Sequence, residues 1–223
     1  MSASRSSATT SPALGHGDLW PAPRVRWLAT VCLVASLLGA ASAVAMLTWP
    51  PMVPEDRYSY PFDAVWHTVF QLFFAVQHLG LLAGIIALGH VARRLPGRRT
   101  RAGVTVSALG MVTLTAAELL NITAAHAAVG STRADLASAA YGPAMILVGV
   151  GFLVAGVGVV RSRLLTGWGR WVPLALGAYV FVVLFPAVFG PLVAGRLAIG
   201  AWMLGFAALG VAVRRAVPRS TGA

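Results

Sequence analysis

Six apolar runs divide this chain, at residues 27–49, 65–91, 102–125, 139–160, 168–189 and 191–213, with short polar connectors between them. Each run reaches the ~20 residues that a helix needs to cross a bilayer. Lipid offers no hydrogen bonds, so a spanning backbone must satisfy its own, and helices do so within one segment. The expected fold is therefore all-α: a six-transmembrane-helix bundle with short connecting loops. Composition agrees. The chain is 58% hydrophobic and only 10% charged, against about 25% charged in an ordinary soluble domain.

The basic residues set the expected orientation. All 17 are arginine. Arg5, Arg24 and Arg26 precede the first run; Arg93, Arg94, Arg98, Arg99 and Arg101 lie between the second and third. Arg161, Arg163 and Arg170 lie between the fourth and fifth, and Arg214, Arg215 and Arg219 follow the sixth. The alternate connectors hold only Arg57, Arg133 and Arg196. Positive residues stay on the cytoplasmic side, so both termini are expected to be cytoplasmic in a multi-pass protein of the cell (plasma) membrane. The net charge of +11 is then mainly a topology signal. Anionic lipid headgroups are expected contacts; nucleic acid is not an expected partner.

The domain reading follows from composition. Residues 1–23 are rich in Ser, Thr, Pro and Gly and are expected to form a disordered cytoplasmic tail. Residues 24–215 form the transmembrane domain, and residues 216–223 a cytoplasmic C-terminal tail. Ala41, Ala43 and Ala45 have signal-peptidase spacing, but the first run is longer than a signal core. The single cysteine, Cys32, excludes an intrachain disulfide and a cysteine metal site. Small residues at four-residue spacing mark expected helix–helix seams: Ala35, Gly39 and Ala43; Gly80 and Gly84; Gly151 and Ala155; Ala201 and Gly205. They leave the oligomeric state undetermined, because such spacing serves packing within a chain equally well.

The candidate functional residues are the polar ones inside the runs. At about 100° per residue, Gln71 and His78 fall within about 40° of His67 on one stripe of the second helix, and Gln77 lies to the side. The third run carries Glu118 and Asn121, and Glu118 is the only acidic residue in any run. Counted from the outer ends at 1.5 Å per residue, Gln71 is roughly 9 Å deep, Glu118 roughly 12 Å and His78 roughly 20 Å. A short connector makes the two helices expected neighbours, so Glu118 can sit between Gln71 and His78. Arg196, at the outer start of the sixth run, is a candidate partner for Glu118 or an interfacial charge. Intramembrane ionisable groups mark a site by default. His67, Gln71, His78, Glu118, Asn121 and Arg196 are therefore taken as a pocket for a small ligand or a proton, of sensor or transporter type. In the competing reading they only hold the bundle together.

Geometry narrows the chemistry. His67 and His78 lie roughly 16 Å apart along one helix, too far to share a metal ion. His78 has no deep histidine on another helix to complete a haem site. No nucleophile–base pair, phosphate loop or HExxH motif occurs, so no catalytic residue, metal or cofactor is expected. The proline-rich connector ahead of the stripe, "WPPMVPEDRYSYPF", is expected to be a stiff outer loop with aromatic anchors, placed to cap the bundle. Residues 49–84, with "DRYSYPF" as the most specific part, resemble loops in small multi-spanning membrane proteins of actinobacteria; the resemblance implies no activity.

Overall fold

The computed structural model describes residues 20–95 and 98–217. The two expected tails lie mostly outside them. The described residues hold six helical segments long and apolar enough to cross a membrane, and no β-strand; one isolated bridge joins Arg57 and Ala128. Their length and apolarity mark a multi-pass membrane protein.

The first span is α1 (Ala22–Leu47). Prolines flank its start, where a backbone N–H has no intrahelical partner to lose. The second is α2 (Ala64–Ala92), capped by the Asp63 carboxylate, which accepts from the Trp66 amide at 2.8 Å. The third is α3 (Arg98–Asn121) with a 3₁₀ turn after it (Ile122–Ala124). The fourth is broken: α4 (Thr132–Ala139) and α5 (Tyr141–Ser162) meet at Ala140. Pro143 cannot donate the bond that would continue α4 into α5. The apolar run began at residue 139 because Thr132, Arg133, Asp135 and Ser138 make α4 polar. The fifth span joins α6 (Val172–Tyr179), a π-helical turn (Val180–Leu184) and α7 (Phe185–Val188). The wide turn sits directly before Pro186, whose ring would crowd the carbonyl four residues earlier in a regular helix. The sixth span is α8 (Leu192–Ala216).

The spans follow one another around a ring. Each packs on the next in sequence, α8 closes on α1, and α2 also touches α8 across the middle. Bulky apolar side chains lie on both surfaces. Phe152, Phe206, Leu81, Ile85 and Met111 are fully buried, while Val76, Val182 and Leu197 are more than half exposed. In lipid, burying apolar area does not draw helices together, so close backbone packing at small residues must. The α3–α5 face is built that way. A Cβ added at Gly110 would stand 2.6 Å from the Val148 amide nitrogen, and one at Gly103 2.5 Å from the Ala155 nitrogen. Gly80 faces Ala35 and Gly84 faces Cys32 across the α1–α2 seam. Of the remaining expected seam, Gly205 packs on Leu176 but Ala201 is exposed.

Gly110→Val is expected to force α3 and α5 apart and destabilise the bundle by about 1–3 kcal/mol. Gly142→Ala, where an added Cβ meets nothing within 4 Å, is expected to be neutral. Thermal midpoints in detergent check both.

Candidate functional site

The polar residues gather at the arginine-poor end, under the loop between α1 and α2. That loop is anchored first by aromatics. Phe62 is 2% exposed, stacks on Phe70 at 4.4 Å and meets Trp49 edge-on at 5.4 Å. It is then tied to the connector between the 3₁₀ turn and α4. The Tyr58 amide donates to the Ala127 carbonyl at 3.0 Å, and the Val129 amide donates to the Asp56 carbonyl at 2.8 Å. The Arg57 guanidinium donates to the His126 carbonyl at 3.4 Å. The loop is therefore held by hydrogen bonds across the end of the bundle, as a cap.

Tyr58 projects from this cap into the cluster. Its hydroxyl donates to Asn121 Oδ1 and accepts from Ser138 Oγ at 3.3 Å. Asn121 is 1% exposed and spends its amide N–H groups on the Ala117 and Ala137 carbonyls, at 2.8 and 3.1 Å. His67 Nε2 lies 3.2 Å from the Asn121 carbonyl, and the Tyr58 ring meets the His67 ring edge-on at 6.1 Å. Asn121 thus ties α3 to α4, α2 and the loop.

Deeper, a second chain of contacts crosses three helices. Gln71 Nε2 on α2 donates to the Tyr141 hydroxyl on α5 at 3.4 Å. The Tyr141 hydroxyl donates to Glu118 Oε2 on α3 at 2.7 Å. The other carboxyl oxygen, Oε1, stands 3.6 Å from His78 Nδ1. That distance is too long for a hydrogen bond, and Nδ1 is buried with no hydrogen-bond partner. His78 and Glu118 are 5% and 6% exposed. The arrangement sets two buried ionisable groups on neighbouring helices side by side, with the Tyr141 phenol fixing the orientation of the carboxyl.

Five of the six residues singled out in the sequence come together here: His67, Gln71, His78, Glu118 and Asn121. Arg196 does not join them. It is half-buried at the start of α8 and makes no ion pair with Glu118 within 4 Å. Gln77 points to the other side, toward the Ala35 carbonyl and Met203 Sδ. His90 is buried under Trp20, with ring centroids 5.2 Å apart. Among the described residues, no three His, Cys, Asp or Glu side chains converge as a metal site requires.

Three members of the network escaped sequence reasoning: Tyr58, Ser138 and Tyr141. Tyr58 looked like an interfacial aromatic, and Tyr141 sits where a span merely begins. The available signal was a lone tyrosine at the entry of the span that neighbours the only intramembrane carboxylate. No protein-family profile, curated protein or solved structure matches this chain.

Burial raises the Tyr58 phenol above its ordinary range; the Ser138 hydrogen bond opposes this and the nearby Glu118 charge adds to it. Stability from the neutral phenol is fully present below the ordinary tyrosine value of about 10 and is lost as pH rises through the raised folded value. Tyr58→Phe is expected to cost about 1 kcal/mol at neutral pH and to flatten the alkaline decline. Thermal midpoints from pH 8 to 11 test this; parallel declines in both proteins would refute it.

Proposed function

We propose that this is a multi-pass protein of the cell membrane with both termini cytoplasmic, and that its outward-facing polar cluster binds a proton or a small ligand, as a sensor or transporter-like protein does. The orientation rests on the arginines. Arg24, Arg26, Arg93, Arg94, Arg161, Arg163, Arg214 and Arg215 flank the spans at one end, while Glu55, Asp56 and Asp63 lie in the α1–α2 loop and Asp135 in the first turn of the polar α4 at the other.

One observation carries the functional reading: Glu118 and His78, two buried ionisable groups on neighbouring helices, face each other at 3.6 Å inside the ring. An imidazole and a carboxyl this close, both shut away from water, are the groups on which a proton entering the cluster would settle. Adding one proton changes the charge of the site without any fixed counter-charge in contact to cancel it. Tyr58, His67, Tyr141 and Arg196 are the other ionisable groups within reach. The Tyr58 loop lies over the cluster, so a change of charge below it has a covering segment to act on. The competing reading, in which the cluster only packs the bundle, is supported by the Asn121 bonds to Tyr58, to the Ala137 carbonyl and to His67, which join α3 to the loop, α4 and α2.

Glu118→Gln separates the two readings. The proton reading expects the wild-type thermal midpoint to vary between pH 5 and 8 and the variant to lose that variation. A variant that keeps the wild-type pH profile, or whose midpoint drops equally at every pH, favours packing alone. Orientation has its own check. Cys32 is buried, so introduced cysteines report without background. Ala128→Cys is expected to react with a membrane-impermeant maleimide on intact cells, and Ser162→Cys only after permeabilisation.

A further inference from the structure

At the arginine-rich half of the molecule, a groove of about 570 Å³ runs between α1 and α2 on the lipid-facing surface. Its walls are Trp27, Val34 and Leu38 on one side and Val76 and Leu79 on the other, each at least half exposed. Its floor is Ala35, Gly80 and Ala83. The small residues that let the two helices approach leave no side chain to fill the space between these ridges. The groove is also apolar. Thr30 Oγ1 turns back to the Arg26 carbonyl at 2.8 Å, and Gln77 Nε2 turns inward to Ala35 and Met203. What fits such a surface is hydrocarbon.

The length and one end of the groove identify which hydrocarbon. Trp27 to Leu38 spans roughly 16 Å along the helix, about half of a ~30 Å hydrocarbon core, the depth of a single leaflet. At its shallow end, Arg24 lies one turn beyond Trp27 on the same helix face, its guanidinium 4.0 Å above the Trp20 ring. Trp20 in turn stacks on His90 of α2, and Arg93 and Arg94 follow within one turn of His90 at the end of that helix. None of these arginines is in an ion pair with a described acidic residue. An apolar channel one leaflet deep therefore ends beneath a cluster of positive charge.

We propose that this groove binds the acyl chain of an anionic phospholipid, with Arg24 and Arg94 holding its phosphate. The site is separate from the polar cluster and does not depend on which side of the membrane the termini occupy.

The test uses the purified full-length protein in detergent with phosphatidylglycerol or phosphatidylcholine of identical chains, counting retained lipid by native mass spectrometry. Phosphatidylglycerol is expected to be held more tightly. Arg24→Gln is expected to weaken its retention about fivefold, equivalent to about 1 kcal/mol for one basic residue at a membrane surface, and to leave phosphatidylcholine unchanged. Val34→Trp, which places an indole in the groove, is expected to reduce retention of both lipids. Arg24 and Val34 are exposed, so both variants should keep the wild-type thermal midpoint in detergent alone. Equal retention of the two lipids by the wild type, or phosphatidylglycerol retention that survives both variants, overturns the proposal. Stabilisation by inorganic phosphate equal to that by phosphatidylglycerol overturns the acyl-chain part. A wild-type dimer that Val34→Trp dissociates assigns the face to a second copy and overturns it as well.

Discussion

The close approach of α3 and α5 is the contact on which the polar interior depends. Gly103 and Gly110 on α3, with Gly151 on α5, bring the two backbones together where any side chain would hold them apart. Once they are that close, Tyr141 at the start of α5 reaches Glu118 on α3, and Gln71 on α2 reaches the same hydroxyl. A wider gap would strand a carboxyl and a phenol among apolar side chains, a costly arrangement in a medium without water. Packing at glycine and polar pairing are thus one constraint met twice. The helices approach because small residues permit it, and the polar groups are satisfied because the helices approach.

The two ends of the bundle solve different problems. At the arginine-poor end, backbone hydrogen bonds tie the α1–α2 loop to the connector before α4 and cover the polar chain with Tyr58. Three helix ends there are finished by a side chain or a turn: Asp63 caps α2, Ser131 caps α4, and a 3₁₀ turn follows α3. At the other end, Arg26 donates to the Arg214 and Val217 carbonyls and closes the C-terminal turn of α8 against α1. Cations suit that position, because exposed carbonyls at a helix C-terminus carry partial negative charge.

Much of the candidate site was legible because a helix has a fixed period. His67, Gln71 and His78 align at helical spacing whatever surrounds them, and a polar stripe must turn away from lipid. Glu118 and Asn121 were found by rarity, as polar groups in runs that are otherwise apolar. Their partners were not legible. Tyr141 and Ser138 reach the cluster from the next span, and no local pattern states which face of that span meets α3. Arg196 shows the converse: charge type alone made it a candidate partner for Glu118, but its place at the start of α8 leaves it outside ion-pair distance.

By itself, the sequence determined the number of spans, their approximate limits and the charge difference between the two ends. Those depend on lengths of apolar chain and on where arginines fall, and a bilayer reads both locally. Only the tertiary structure decided the order of the ring, the break between α4 and α5, and which polar groups meet. In lipid both faces of a helix are apolar, so hydrophobic pattern does not distinguish core from surface. The choice falls to shape, glycine against backbone, and to hydrogen bonds between residues far apart in the chain.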